Sequence, residues 1–196
     1  MIPVTKIFPI LTRFHLAWQI EEWGWRIGDH SYGQPRVLEP QIAQLHIGRF
    51  CSIGPDVTIV LGNHRTDLVT TYPFTTLSHI WPGAAGGEAD HETRGDVVIH
   101  NDVWLGANSI VLSGAEIGSG AVVAAHAVVR GKVPPYAVVA GNPARVVRMR
   151  FDAATVERLL AVAWWDWPDA TIREHLPLMM KTDIGAFLDR AEAAAG

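Results

Sequence analysis

The chain has 196 residues, a formal net charge of −4 and 48% hydrophobic residues, enough for one main domain with a buried core and room for an appendage. The mild negative balance excludes recruitment of nucleic acid or of an anionic membrane surface by bulk charge. One cysteine excludes an internal disulfide framework and agrees with a reducing, cytoplasmic setting.

The N-terminal stretch MIPVTKIFPILTRFHLAWQIEEWGW is interrupted by Arg13, His15, Glu21 and Glu22, so neither a signal peptide nor a membrane span is expected. Leu11, Phe14 and Trp18 are spaced for one helical face, which predicts a short amphipathic helix packing on the domain. Residues 1 to about 26 therefore form a cap. From Ile27 to His64 a different period begins, plain in IGRFCS, IGPDVT and IVLGNH. Residues from about 65 to 96 interrupt it. Pro73, Pro82, Gly83, Gly86 and Gly87 argue against helix or strand there. A long loop extruded from a rigid stem is expected, and such loops usually carry function.

The period returns in six consecutive hexapeptides: IHNDVW, LGANSI, VLSGAE, IGSGAV, VAAHAV and VRGKVP. Their first column is Ile99, Leu105, Val111, Ile117, Val123 and Val129. Four places later stand Val103, Ser109, Ala115, Ala121, Ala127 and Val133. A period of six suits neither a helix nor a half-buried strand. It suits an all-β core, a parallel β-helix wound as a three-sided prism with the aliphatic column on the axis. Cys51 falls in the small inward column, where it acts as a buried hydrophobe and not as a nucleophile. After Phe151 the pattern turns helical. Asp152 is a candidate N-cap, Pro168 suits the first turn of a second helix, and Asp183 caps a third. The expected division is 1–150 for cap, coil and loop, and 151–196 for a helical extension.

The repeat breaks at GNHRTDLVTTYPF. His64, last of the rigid coil and first of the loop, is placed either as a general base or as a histidine that satisfies turn carbonyls. Position alone favours neither. Trp104 reads as a ligand contact or a subunit contact. Asp67 and Tyr72 are acceptor-pocket candidates or loop-ordering residues. His100 and His126 should face outward, while His79 and His91 flank the glycine-rich loop without the spacing of a metal site.

IGRFCSIGPDV, NHRTDLVTTYPF, GDVVIHNDVWLGANSIVLSGAEIGSGAVVAAHAVV, AGNPARVVRMRF and AWWDWP together resemble the hexapeptide-repeat xenobiotic acetyltransferases, which include chloramphenicol and streptogramin acetyltransferases. The resemblance covers roughly Ile27 to Arg190. It implies a left-handed parallel β-helix, a homotrimer with sites between subunits, and acetyl transfer from acetyl-CoA to an acceptor hydroxyl. It implies His64 as general base and no metal. It places the cofactor along the coils, against Trp104, Gly106, Ala107, Ala124 and Ala125, with Asn142 and Pro143 near the adenine. Arg145, Arg148 and Arg150 form a basic cluster after the last coil, from which Arg148 or Arg145 would meet a phosphate, as guanidinium groups do.

The stretch before the first full coil keeps Ser31, Tyr32 and Gly33 but lacks the aromatic density of antibiotic-modifying members. Tyr32 remains an acceptor-site candidate. WPGAAGGEADHETRGD also departs from them in composition. A sugar or polysaccharide O- or N-acyltransferase therefore stands beside the drug-modifying reading, and a non-catalytic β-helix scaffold stands as a third.

Overall fold

Each hexapeptide becomes one short strand and one corner, and successive strands fall on three faces in turn. In this computed structural model residues 11–195 are described, and the chain divides into two units, Met1–Arg148 and Met149–Gly196. Face I holds β1 (Arg26–Ile27), β3 (Leu45–Ile47), β8 (Val97–Ile99), β11 (Glu116–Ile117) and β14 (Lys132–Val133). Face II holds β4 (Ser52–Ile53), β9 (Trp104–Leu105), β12 (Val122–Val123), β15 (Ala137–Ala140) and β16 (Arg145–Met149). Face III holds β2 (Arg36–Leu38), β5 (Thr58–Val60), β10 (Ile110–Val111) and β13 (Val128–Val129). Strands on each face pair in parallel, so the β-helix expected from the six-residue period is present.

Register explains the period. Ile47, Ile99 and Ile117 stack on face I, Ile53, Leu105 and Val123 on face II, and Ile59, Val111 and Val129 on face III. All of these are buried. Full burial of such a side chain contributes roughly 1.5–3 kcal/mol, so the axis is the main stabilising feature of the coil. The corners turn on residues in the left-handed region, among them Asp56, Asn108 and His126 at φ of 57°, 57° and 60°. Asp, Asn and His are the non-glycine residues that tolerate that region best.

The final hexapeptide departs from its expected register. Val133 pairs with Ile117, only sixteen residues earlier, and so joins the aliphatic column instead of the small one. Gly131, at φ 70°, makes the tighter corner that shortens this coil.

The N-terminal expectation is corrected as well. Two short helices form, α1 (Thr12–His15) and α2 (Ala17–Trp23), broken at Leu16. The break resets the helical phase. Leu16 and Thr12 are buried, whereas Phe14 and Trp18 are 50% and 60% exposed. The first ten residues, part of the expected cap, lie outside the described residues.

The 65–96 segment also carries more regular structure than its prolines and glycines suggest. It contains one 3-10 turn, Pro82–Ala84, and the strand β7 (His91–Glu92). That strand pairs antiparallel with β6 (Asn63–His64), so the segment returns to satisfy the backbone where it left.

The second unit holds α3 (Ala153–Val162), α4 (Asp169–Met179) and α5 (Ile184–Ala195). Asp152 caps α3, accepting from the Thr155 amide at 2.8 Å, and Asp183 accepts from the Ala186 amide at 3.1 Å. Pro168 stands one place ahead of the first turn of α4, at the cap position. Arg158 of α3 ties to Asp189 and Glu192 of α5. Among the described residues no helix is long and apolar enough to cross a membrane.

Candidate active site

His64 sits where the coil ends and the loop begins, pinned from both directions. The Thr93 hydroxyl donates to the Leu61 carbonyl at 2.7 Å, and the Asn63 side-chain Nδ2 donates to the Ser113 hydroxyl at 3.0 Å. His64 itself is exposed. Its Nδ1 lies 2.7 Å from the Thr71 carbonyl. A carbonyl only accepts, so Nδ1 carries the hydrogen and the neutral ring presents a lone pair at Nε2. The turn-carbonyl reading and the base reading are thus compatible, because one nitrogen serves each.

Opposite His64 across β6 and β7 stands His91, with ring centroids 4.5 Å apart. Asp90 organises this strand. It is 6% exposed and accepts from the Thr76 hydroxyl at 2.6 Å and the Thr76 amide at 2.9 Å. His91 Nδ1 lies 2.8 Å from the same carboxylate. The Thr76 hydroxyl chiefly, with the Thr76 amide and His91 beside it, holds the Asp90 carboxyl far below the usual carboxylate range. Asp90 is therefore ionised, and His91 Nδ1–H donates to it.

Asp67 is held by its neighbour Arg65. Arg65 donates to both of its oxygens at 2.9 and 2.7 Å and also to Glu88 at 2.9 Å. Asp67 is a loop tie, and its carboxyl is held low by the guanidinium. Tyr72 follows Thr71 directly and is exposed. Its ring lies 4.7 Å from that of Phe74, which lies 5.3 Å from that of Trp81. Tyr32 is elsewhere, bridged to Ser52 on face II.

The residues expected to meet the cofactor gather on face II and its corner with face III. Tyr32, Ser52, Trp104, Val122 and Val138 form one outward row, and Trp104 is 55% exposed. At the corner, the Gly106 amide donates to Val123, Ala124 to Val139, and Val128 to Gly141. Gly106 with Ala107 and Ala124 with Ala125 thus stack coil upon coil, whereas Asn142 and Pro143 come two positions past that column, after β15. A Cβ on Gly106 would come within 2.5 Å of the Ala125 amide, so this glycine is required by coil stacking before any ligand is considered.

The two arginines do not form one cluster. Arg145 and Arg148 both lie on β16, and an odd separation along a strand sends side chains to opposite faces. His64 lies apart from the whole strip. It leaves the coil between faces III and I, the edge opposite face II.

Cys51 is fully buried, its thiol donating to the His100 carbonyl at 3.0 Å, and burial pushes the thiol up to about 11. His100 approaches Glu116 at 3.4 Å, and His126 forms an exposed corner. Among the described residues no group of three metal-ligating side chains exists. Asp90 and Thr76 were not singled out from sequence. Their one signal was an acidic residue beside a histidine where the loop rejoins the coil.

A parallel three-faced coil with a histidine at the mouth of an extruded loop defines the class by architecture, a hexapeptide coil. The family "Bacterial transferase hexapeptide (six repeats)" matches residues 96–131. A chloramphenicol acetyltransferase from Escherichia coli is 39% identical over 168 residues, covering 82% of this chain and 80% of that one. A virginiamycin A acetyltransferase from Staphylococcus aureus is 42% identical over 171 residues, covering 81% and 78%. A hexapeptide-repeat acetyltransferase from Vibrio cholerae, solved with acetyl coenzyme A, aligns at a TM-score of 0.50 and 32% identity. That alignment spans 65% of this chain and 61% of the other, less than two thirds of its length. The chain belongs to the hexapeptide-repeat xenobiotic acetyltransferases and is an acetyltransferase enzyme.

Proposed function

We propose that the protein transfers acetyl from acetyl-CoA directly to a hydroxyl of a small xenobiotic acceptor, with His64 as general base. The carrying observation is the His64–Thr71 bond, which fixes the ring and leaves Nε2 as its free acceptor. Nε2 takes the acceptor's hydroxyl proton as that oxygen attacks the thioester carbonyl carbon. The C–S bond then breaks, and the coenzyme thiolate leaves with the proton returned from His64. Positioned bases of this kind contribute on the order of 10²–10⁴-fold. Transfer without a covalent intermediate is supported by Cys51, whose thiol is buried and weakly acidic.

The coil is taken as left-handed, as in the family, an exception to the usual crossover hand. Trp104, Gly106, Ala107, Ala124, Ala125, Asn142 and Pro143 would line the pantetheine and adenine path. Arg145 and Arg148, on opposite faces of β16, can serve one phosphate only singly. Tyr32 and Tyr72 would border the acceptor. Face II and the His64 edge point away from each other within one chain, which supports a homotrimer whose subunits each complete the next one's site. A cytoplasmic setting follows from use of acetyl-CoA as donor. Thiol release from acetyl-CoA, with chloramphenicol, a streptogramin A and several sugars as acceptors, tests the reading. Acceptor-dependent release that His64→Ala abolishes supports it, and release unchanged in that variant overturns the base assignment.

A further inference from the structure

We propose that His91 is a specificity-determining residue of the acceptor site. Its Nε2 receives a second hydroxyl of an acceptor whose first hydroxyl is the one acetylated at His64. The inference rests on the base role given to His64 above, and it narrows the acceptor to a 1,2- or 1,3-diol carried on a ring.

His64 and His91 are held in the same way. Each gives its Nδ1–H to a fixed oxygen, the Thr71 carbonyl at 2.7 Å and the Asp90 carboxylate at 2.8 Å. Each neutral ring is therefore left with one lone pair, at Nε2. The rings are cross-strand neighbours with centroids 4.5 Å apart, so the two acceptor nitrogens belong to one small region.

His91 is not free to swing. Turning its ring would break the bond to Asp90, and that carboxylate is itself anchored by the Thr76 amide and hydroxyl. A hydrogen bond to a carboxylate also strengthens the far nitrogen as an acceptor, as it does for metal-binding histidines. The His91 side chain is only 17% exposed, and no partner for its Nε2 is found among the described residues. A partly buried ring with an acceptor that no protein donor meets discriminates between ligands, because a ligand lacking the donor leaves it unpaired on binding.

One hydroxyl engages one nitrogen. Acceptors with a single hydroxyl satisfy His64 and leave His91 empty, whereas hydroxyls on neighbouring or next-neighbouring carbons meet both. Tyr72, Phe74 and Trp81 are exposed just beyond Thr71, with the Phe74 ring in contact with each of the other two, an apolar surface suited to the flat or ring-shaped body of such a diol.

The test compares kcat/KM for matched acceptors. One pair is chloramphenicol and its analogue lacking the benzylic hydroxyl, and the other is a methyl glycoside and its adjacent-deoxy form. Wild type, His91→Phe, His91→Gln and His64→Ala are assayed, with circular dichroism and acetyl-CoA binding as fold controls. Wild type is expected to favour the diol by about ten- to a hundredfold. His91→Phe should shrink that preference to within about threefold, chiefly by raising KM for the diol. The amide oxygen of His91→Gln should restore part of it. An undiminished preference in a folded His91→Phe overturns the proposal alone. If wild type acetylates no alcohol, or His64→Ala matches wild type, the base reading falls and this inference falls with it.

Discussion

The ring Nδ1 of His64 is bonded to the backbone carbonyl of Thr71 at 2.7 Å. This contact settles both the tautomer and the orientation of the side chain without another ionisable group. His64→Ala should therefore lower turnover by at least about 10²-fold and leave acetyl-CoA binding within about twofold. Steady-state kinetics and calorimetric titration check the two halves. Unchanged turnover would remove His64 from the chemistry.

Asp90 joins Thr76 and His91 beneath the loop. Its folded pKa lies below the unfolded value near 4, so its stabilising effect is complete above that pH and is lost as pH falls toward the folded value. Amide protection of Thr76 should accordingly fade only below about pH 4 in the wild-type protein. In Asp90→Asn it should be weaker by on the order of tenfold at neutral pH, as expected for loss of charge-assisted hydrogen bonds. Hydrogen exchange across that pH range decides it.

Ser109 lies fully buried in the small column between Val57 and Ala127, and its hydroxyl has no hydrogen-bond partner among the described residues. Ser109→Ala should raise stability by about 1 kcal/mol, because the hydroxyl loses water and gains nothing in return. Chemical denaturation gives the value, and a destabilised variant would show that the hydroxyl has a partner.

Cys51, with its thiol pushed up to about 11, should resist alkylation at pH 8 while the protein is folded and react on unfolding. Cys51→Ala should keep activity within about twofold while lowering stability by about 1 kcal/mol through an under-filled axis. Mass spectrometry after iodoacetamide and a melting curve are the readouts. Loss of activity in a folded variant would place the thiol in the mechanism.

Trp104 on face II and His64 on the opposite edge supply different parts of one site only if neighbouring copies meet. Trp104→Ala should raise KM for acetyl-CoA about tenfold. Unfolding and refolding it with His64→Ala at equal amounts should return activity to about a quarter of the sites by random assortment. Activity no greater than the sum of the separate variants would mean that each chain carries its own complete site.

The six-residue period determined the coil by itself. Each aliphatic residue from Ile99 to Val129 recurs at the interval of one prism side, and no other regular backbone buries that pattern. His64 was legible for a related reason, since it stands where the period stops. The convergence of Asp90 and Thr76 with His91 was not legible. They converge only because β7 returns across 26 residues of loop to pair with β6, a contact no local pattern encodes. The same holds for Arg145 and Arg148, neighbours in sequence that a strand sends to opposite faces, and for Val133, whose column changed because Gly131 shortened a corner by two residues. Periodic burial is a local property and can be read along a chain. Which carboxylate holds which imidazole depends on how loops and corners close, and only the tertiary structure decided that.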